Sequence, residues 1–252
     1  MFSRAIARRP GRTLAAGISS AGLGKPDLDV AKVQHRAYVK ALEGCGLMVD
    51  VLPPSDSYPD AVFVEDVAVC TPSCAILTRP GAESRRGEAA LIAKAIDERF
   101  ECVERIEEGT LEGGDVMMVG THFFIGLSAR TDAAGARQMR EILARHGLSG
   151  STVGLEGMLH LKTGLSYLEN GVLLATRPAA AHPQFADLRV LEVADEEAYA
   201  ANSVWVNDRV LMPTGYPRTR GLVEKAGYCV VEVETSEFRK LDGGVSCLSL
   251  RY

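Results

Sequence analysis

Cys247 lies near the end of the chain behind two glycines, in Gly243-Gly244-Val245-Ser246-Cys247-Leu248. Glycine lets a backbone approach another group closely. A cysteine outside any disulfide framework, with a conspicuous histidine elsewhere, is a candidate nucleophile. Such a thiol needs an acid/base partner, a group that orients the partner, and a pocket for an electrophile. Three stretches carry groups of that kind. Asp60, Glu65 and Asp66 flank the apolar run Ala61 to Val64, and carboxylates in apolar surroundings are costly unless paired or hydrogen-bonded. Glu112-Gly113-Gly114-Asp115 again joins acids to paired glycines, and His160-Leu161-Lys162-Thr163-Gly164 supplies a histidine. Acids gathered around a thiol make a site for a cation.

The elements that must position these groups repeat along the chain. Segments beginning at Asp66, Asp115, Thr163 and Asn202 each read as a polar residue, an apolar run, a turn, a second apolar run and an arginine beside Pro or Thr. Two apolar runs around a turn make a β-hairpin. The spacing of roughly 40–50 residues is that of repeat or propeller architectures. A fifth copy starts at Gly243-Gly244 but ends after one run, and Ala5-Ile6-Ala7-Arg8-Arg9-Pro10 matches the missing second run. The two termini are therefore expected to pair and close a ring, which removes exposed sheet edges. Helical spacing of Val30, Val33, Ala37, Ala41 and Leu42, of Ala89, Ile92, Ala93 and Ile96, and of Ala136, Met139, Ile142 and Leu143 predicts helices between hairpins. Gly44 and Gly147 stand where helix stops belong. Met48–Leu52 and Val230–Val233 read as strands after helices. The unit is hairpin, helix, strand. Gly11 to Lys25, rich in Gly, Ala and Ser, is a loop by composition and either a connector or a lid.

In a closed ring, equivalent polar heads converge near the axis. His160 is the only one of the five histidines at such a head; His35 and His146 fall in helical patterns and His182 follows an alanine-rich loop. The totals agree with an ordinary soluble chain. Of 252 residues, 46% are apolar and 24% charged, and the net charge of −5 without a basic run argues against nucleic acid as a partner. Six scattered cysteines (Cys45, Cys70, Cys74, Cys102, Cys229 and Cys247) have no metal-finger spacing and read as buried thiols apart from Cys247. That use of cysteine fits a reducing cytoplasm, and no apolar run reaches the ~18 residues of a membrane span. Arg4, Arg8, Arg9 and Arg12, with no acid before Asp27, have the composition of some transit segments. The match of this end to the repeat favours folded structure.

Phe63-Val64-Glu65-Asp66, Leu111-Glu112-Gly113-Gly114-Asp115, His160-Leu161-Lys162-Thr163-Gly164 and Asp242-Gly243-Gly244-Val245-Ser246-Cys247 occur in this order. Together they resemble the dimethylarginine dimethylaminohydrolases, members of the guanidine-modifying pentein superfamily. The resemblance spans nearly the whole chain. It implies an α/β fold, a five-bladed ββαβ propeller in one catalytic domain covering residues 1–252. It implies that Cys247 attacks the guanidinium carbon of an N-methylated arginine, with His160 as general acid/base and Glu112 orienting it. It places Asp66 on the guanidinium with Asp60 and Glu65 close by. Arg85 and Arg130 would hold the α-carboxylate, with Arg86 able to exchange roles with Arg85. Ile18 in the lid loop, Leu241 and Asp242 would contact the rest of the substrate. No cofactor or metal is expected, and the partner is a small molecule, with the chain a monomer or homodimer. Arginine and agmatine deiminases typically carry an acid two residues after the histidine. Here that position is Lys162, which favours a methylated guanidinium. The competing readings are a deiminase or amidinotransferase of the same superfamily, a non-catalytic binding propeller, and a metal-binding regulator using Cys247 and His160.

Overall fold

A computed structural model describes residues 1–154 and 158–252. The chain opens with β1 (Arg4–Arg8), crosses α1 (Leu28–Gly44) and returns in β2 (Met48–Leu52). Next come β3 (Ala68–Cys70), β4 (Ala75–Leu77), α2 (Glu88–Asp97) and β5 (Val103–Arg105). The following unit is β6 (Val116–Val119), β7 (His122–Leu127), α3 (Ala133–Arg145) and β8 (Ser149–Gly154). A single turn, α4 (Leu161–Gly164), leads into β9 (Leu165–Tyr167), β10 (Val172–Thr176), the short α5 (Arg177–Ala180) and β11 (Arg189–Val193). The last full unit is β12 (Val204–Val206), β13 (Arg209–Pro213), α6 (Pro217–Lys225) and β14 (Cys229–Val233), followed by α7 (Ser236–Arg239) and β15 (Leu250–Arg251).

Among the described residues these strands form five three-stranded sheets, ordered β15-β1-β2, β3-β4-β5, β6-β7-β8, β9-β10-β11 and β12-β13-β14. Each sheet has one antiparallel and one parallel pair. An antiparallel pair needs only a tight turn, whereas a parallel pair needs a crossover. That is why every hairpin is followed by an outer connection, a long helix in four blades. In the β9–β11 blade the crossover shrinks to α5 and one 3₁₀ turn, which departs from the uniform repeat expected. The fifth blade is completed as the sequence predicts: Ala5 pairs with Arg251 and Ile6 with Leu250.

Five apolar clusters join the blades cyclically. Val69 and Ile76 pack with Val116 and Phe123 between the first two hairpins. Met117 and Val153 meet Leu165 and Leu173 at the next junction, and Leu174 and Leu191 meet Val210 and Met212 at the third. Val206 and Leu211 meet Ala5, Tyr38 and Leu248, and Ile6 and Leu250 meet Val67 and Ile92. Each fully buried aliphatic chain contributes roughly 1.5–3 kcal/mol. The junctions, not the small individual sheets, therefore hold the ring together.

Three local expectations are corrected. In α1 the buried face is Ala31, Gln34, His35, Tyr38 and Leu42, while Val30 and Val33 are exposed. Two polar members of that face have partners that only the fold supplies: Gln34 Nε2 donates to Ser236 Oγ at 2.8 Å and Tyr38 shares a 2.6 Å hydrogen bond with Ser249. Helix α1 is closed by Gly46 at φ +89°, not by Gly44, whereas Gly147 at φ +71° ends α3 as expected. Cys229 is exposed, and Cys70 and Cys102 are half-buried. No helix among the described residues is long and apolar enough to cross a membrane.

Candidate functional site

Each inner strand is entered through a short helical turn or its equivalent: Val64–Val67, Gly113–Asp115, Leu161–Gly164, Asp195–Ala201 and Ser246–Leu248. These turns carry the polar heads of the repeat to the ring axis. There His160, Glu112, Asp66, Cys247, Asp60, Arg85, Arg130, Ile18, Leu241 and Asp242 line one narrow cleft. His160 and Cys247 also line an adjoining cavity of about 200 Å³, walled by Met158, Ala198 and Tyr199 among others.

Glu112 is fully buried and bonds His160 Nε2 through Oε2 at 2.7 Å. Its other oxygen accepts from the backbone N–H groups of Gly81 and Ala82 at 3.1 and 3.3 Å. Burial opposes its charge, but the His160 hydrogen bond and charge hold Glu112 below the usual carboxylate range. Asp115 accepts from Leu161 N at 2.9 Å and Ser128 Oγ at 2.7 Å, which anchors the backbone beside the imidazole. Burial lowers the His160 pKa, but Asp66, Glu112 and Asp115 outweigh it and raise the imidazole to about 9. Gly114 has a reason to be glycine: a Cβ there would stand 2.8 Å from Asp66 Oδ1 and 2.9 Å from His160 Nδ1.

Cys247 follows Gly244, whose N–H donates toward its sulfur at 3.4 Å. Burial, then the negative charges of Glu65 and Asp66, push the thiol up to about 12. Both shifts favour a neutral thiol and a charged imidazole near neutral pH. Asn202, head of the fourth repeat, clamps Ser246 through Oδ1 to its N–H at 2.9 Å and Nδ2 to its Oγ at 3.0 Å. Asn202 and Asp115 were read from the sequence as repeat heads, but their bracing contacts were not.

The acids divide. Asp66 Oδ2 takes Arg85 Nη1 at 2.5 Å, while Oδ1 accepts from Gly114 N at 3.2 Å. Asp60 accepts from Ile18 N at 3.0 Å, and burial raises its pKa. Glu65 does not line the narrow cleft but the adjoining cavity and a second cavity ringed by inner-strand residues of all five blades. Its carboxylate is held by Lys162 Nζ at 2.6 Å, Ser246 Oγ at 2.6 Å and Arg251 Nη2 at 3.3 Å. Lys162, read as a missing acid, is thus the counter-ion of Glu65. Arg85 is enclosed by Asp66, both oxygens of Glu88 and the carbonyls of Asp60 and Phe63. Among the described residues, Arg130 Nη1 approaches Glu112 Oε1 at 3.6 Å, with no shorter side-chain ion pair. Arg86 is exposed, bonds the Pro80 carbonyl and lies outside the cleft lining. The Gly11–Lys25 loop is fastened over the cleft by Ser20 N on Asp242 Oδ2 at 2.5 Å and Ser19 Oγ on Lys240 O at 2.6 Å. Asp242 sits at φ +59°, a costly conformation for a non-glycine residue that presents its carboxylate to the loop.

Asp66, Glu112 and His160 bring ligand atoms within 4.8 Å of one another. Arg85 and Arg130 already face these carboxylates.

Five ββαβ blades around a cysteine, histidine and carboxylate define the protein as a pentein with a thiol-based active-site constellation. The sequence profile of eukaryotic N,N dimethylarginine dimethylhydrolase matches residues 27–153. The chain is 57% identical, over 254 residues and the whole of both chains, to the N(G),N(G)-dimethylarginine dimethylaminohydrolase of Pseudomonas aeruginosa. It is 37% identical to the protein of the same name from Streptomyces coelicolor, over 98% of this chain and 96% of that one. A solved structure of the Pseudomonas protein, a cysteine-to-serine mutant complexed with citrulline, matches with a TM-score of 0.99 at 56% identity over all of both chains. The N-terminal domain of ArgZ shares the fold, with a TM-score of 0.89 at 23% identity over 98% of this chain and 97% of that one. The chain belongs to the dimethylarginine dimethylaminohydrolase family.

Proposed function

We propose that this chain hydrolyses Nω-methylated arginines to citrulline and dimethylamine or methylamine, cleaving a C–N bond of a linear amidine. The observation that carries this reading is the enclosed juxtaposition of Cys247, the His160–Glu112 pair and Asp66. Guanidinium is a stabilised cation and a weak electrophile, so it must be held by charge-assisted hydrogen bonds before attack. Asp66 is the acceptor for that cation, braced by Arg85. Arg130 takes the α-carboxylate, and the Asp60-anchored Ile18 segment with Leu241 and Asp242 closes over the chain of the substrate.

The bound cation offsets the negative field of Glu65 and Asp66 and lowers the thiol pKa where it counts. As the cation binds, the thiol releases its proton to solvent; the thiolate adds to the guanidinium carbon, the C–N bond breaks, and His160 gives its proton to the departing amine. The thiouronium left on Cys247 is then attacked by water, one of whose protons returns to neutral His160; the C–S bond breaks to give citrulline, and the remaining hydroxyl proton goes to the leaving sulfur. One imidazole serves both steps because Glu112 keeps it oriented in either protonation state. The cavity beside Cys247 gives room for the methyl groups and the incoming water. Two solved structures support this chemistry: dimethylarginine dimethylaminohydrolase has been captured as adducts with S-methyl-L-thiocitrulline, in a histidine-to-glycine variant, and with 4-chloro-2-hydroxymethylpyridine.

Citrulline release measured with dimethylarginine and arginine side by side tests the proposal. Dimethylarginine should be favoured in kcat/KM by at least about tenfold, the scale of discrimination that a shaped apolar pocket provides. Faster turnover of arginine would point to a deiminase instead.

A second expectation follows from the thiol pKa of about 12 in the free protein. Inactivation by iodoacetamide, mapped to Cys247 by mass spectrometry because the exposed Cys229 also reacts, should speed up with each unit of pH from 7 to 9. A rate already level at pH 7 would mean a preformed thiolate.

A further inference from the structure

Far from the axis, on the outside of the ring, three potential ligands come together. Cys102 immediately precedes β5, Glu104 lies within it, and His146 caps the C-terminal end of α3. Their ligand atoms all lie within 4.8 Å of one another. His146 Nε2 is 3.0 Å from Glu104 Oε1 and 3.9 Å from Cys102 Sγ. The second oxygen of Glu104 is held by Arg145 Nη2 at 2.9 Å, which fixes the carboxylate.

A nucleophile relay places its two partners on opposite nitrogens of the imidazole. Here thiol and carboxylate face the same nitrogen, so the cluster is not a relay. Three donors converging on one point suit a cation. A tetrahedral zinc ion with its usual bond lengths separates N from S by about 3.6 Å and N from O by about 3.4 Å. The distances found, 3.9 Å for N to S and 3.0 Å for N to O, each lie within about 0.4 Å of those values, so small side-chain adjustments would seat the ion. The end of α3 adds the partial negative charge of its terminal carbonyls. Sulfur, imidazole and carboxylate donors together select zinc over magnesium or calcium.

We propose that Cys102, Glu104 and His146 form a peripheral zinc site that ties the end of α3 to β5, across the junction of two blades. On binding, the Cys102 thiol gives up its proton to solvent and its sulfur enters the coordination sphere. Cys74 lies beside Cys102 across the β4–β5 pair, where Ala75 N donates to Cys102 O at 3.0 Å. Its thiol is engaged by Thr71 Oγ1 at 3.4 Å, so the fourth position goes to water.

The test uses the full chain carrying Cys247→Ser, which removes the active-site thiol as a competing ligand. Zinc titrated calorimetrically should bind once per chain, and cobalt in its place should give a thiolate-to-metal charge-transfer band. Adding Cys102→Ser or His146→Gln should weaken binding by at least about tenfold, while Cys229→Ser should not. Zinc should also slow alkylation of Cys102 in the Cys247→Ser protein with no further mutation, a readout that does not depend on the variants folding. Unprotected Cys102, or zinc binding that survives Cys102→Ser and His146→Gln (as metal at Asp66, Glu112 and His160 would), overturns the proposal.

Discussion

Cys247→Ser should fold normally and lose at least about 10⁴-fold in turnover of dimethylarginine, the scale seen when a nucleophile acting as part of a unit is removed. Serine differs by one atom and is tolerated sterically: the Asn202–Ser246 clamp does not involve sulfur, and a hydroxyl oxygen can accept from Gly244 N–H in its place. What it lacks is a usable anion. The thiol is already difficult to ionise in this field, and an alcohol in the same place is far more so. Substrate binding should survive, because Asp66 and Arg130 are untouched. Steady-state turnover together with equilibrium binding of dimethylarginine separates the two effects. Full activity in the serine protein would remove Cys247 from the chemistry.

His160→Asn should lower turnover by about 10²–10⁴-fold, the range for loss of a positioned acid/base. The step that fails can be chosen by substrate. With dimethylarginine the leaving amine needs a proton, so the covalent intermediate should not accumulate. With S-methyl-L-thiocitrulline, whose thiolate leaving group needs none, the adduct on Cys247 should form and persist, because its hydrolysis still lacks a base. Intact-protein mass spectrometry after mixing distinguishes these outcomes. Rapid clearance of the adduct would assign the water-activating role elsewhere. The pH dependence carries a sign as well. In the wild-type free protein His160 is charged below about 9, so activity that relies on its acid form should decline as pH rises through that value. The same decline should be missing from the residual rate of the variant.

Lys162 shows where reading by position alone falls short. Seen in sequence, it is an acid exchanged for a base, two residues after the histidine. In the fold it also neutralises Glu65, 97 residues away, together with Arg251. Restoring an acid there would set two carboxylates against each other beside Ser246 and Cys247. The change in substrate preference expected from Lys162 is therefore inseparable from the alignment of the nucleophile. Arg85 carries a similar lesson. It lines the cleft, but the guanidinium expected on a substrate carboxylate is shared between Asp66 and Glu88, a member of the next helix.

The polar heads, their spacing, the unfinished fifth unit and its match to the N-terminal segment were legible in the amino-acid sequence. So were Cys247, His160 and Glu112, because repeated strands and paired glycines are local signals with a fixed period. The phase of α1, the enclosure of Arg85, the pairing of Glu65 with Lys162 and the grouping of Cys102, Glu104 and His146 were decided only by the closed ring. Each joins side chains from different turns of the repeat. No local propensity encodes which charges will meet once five blades share an axis and must satisfy one another out of water.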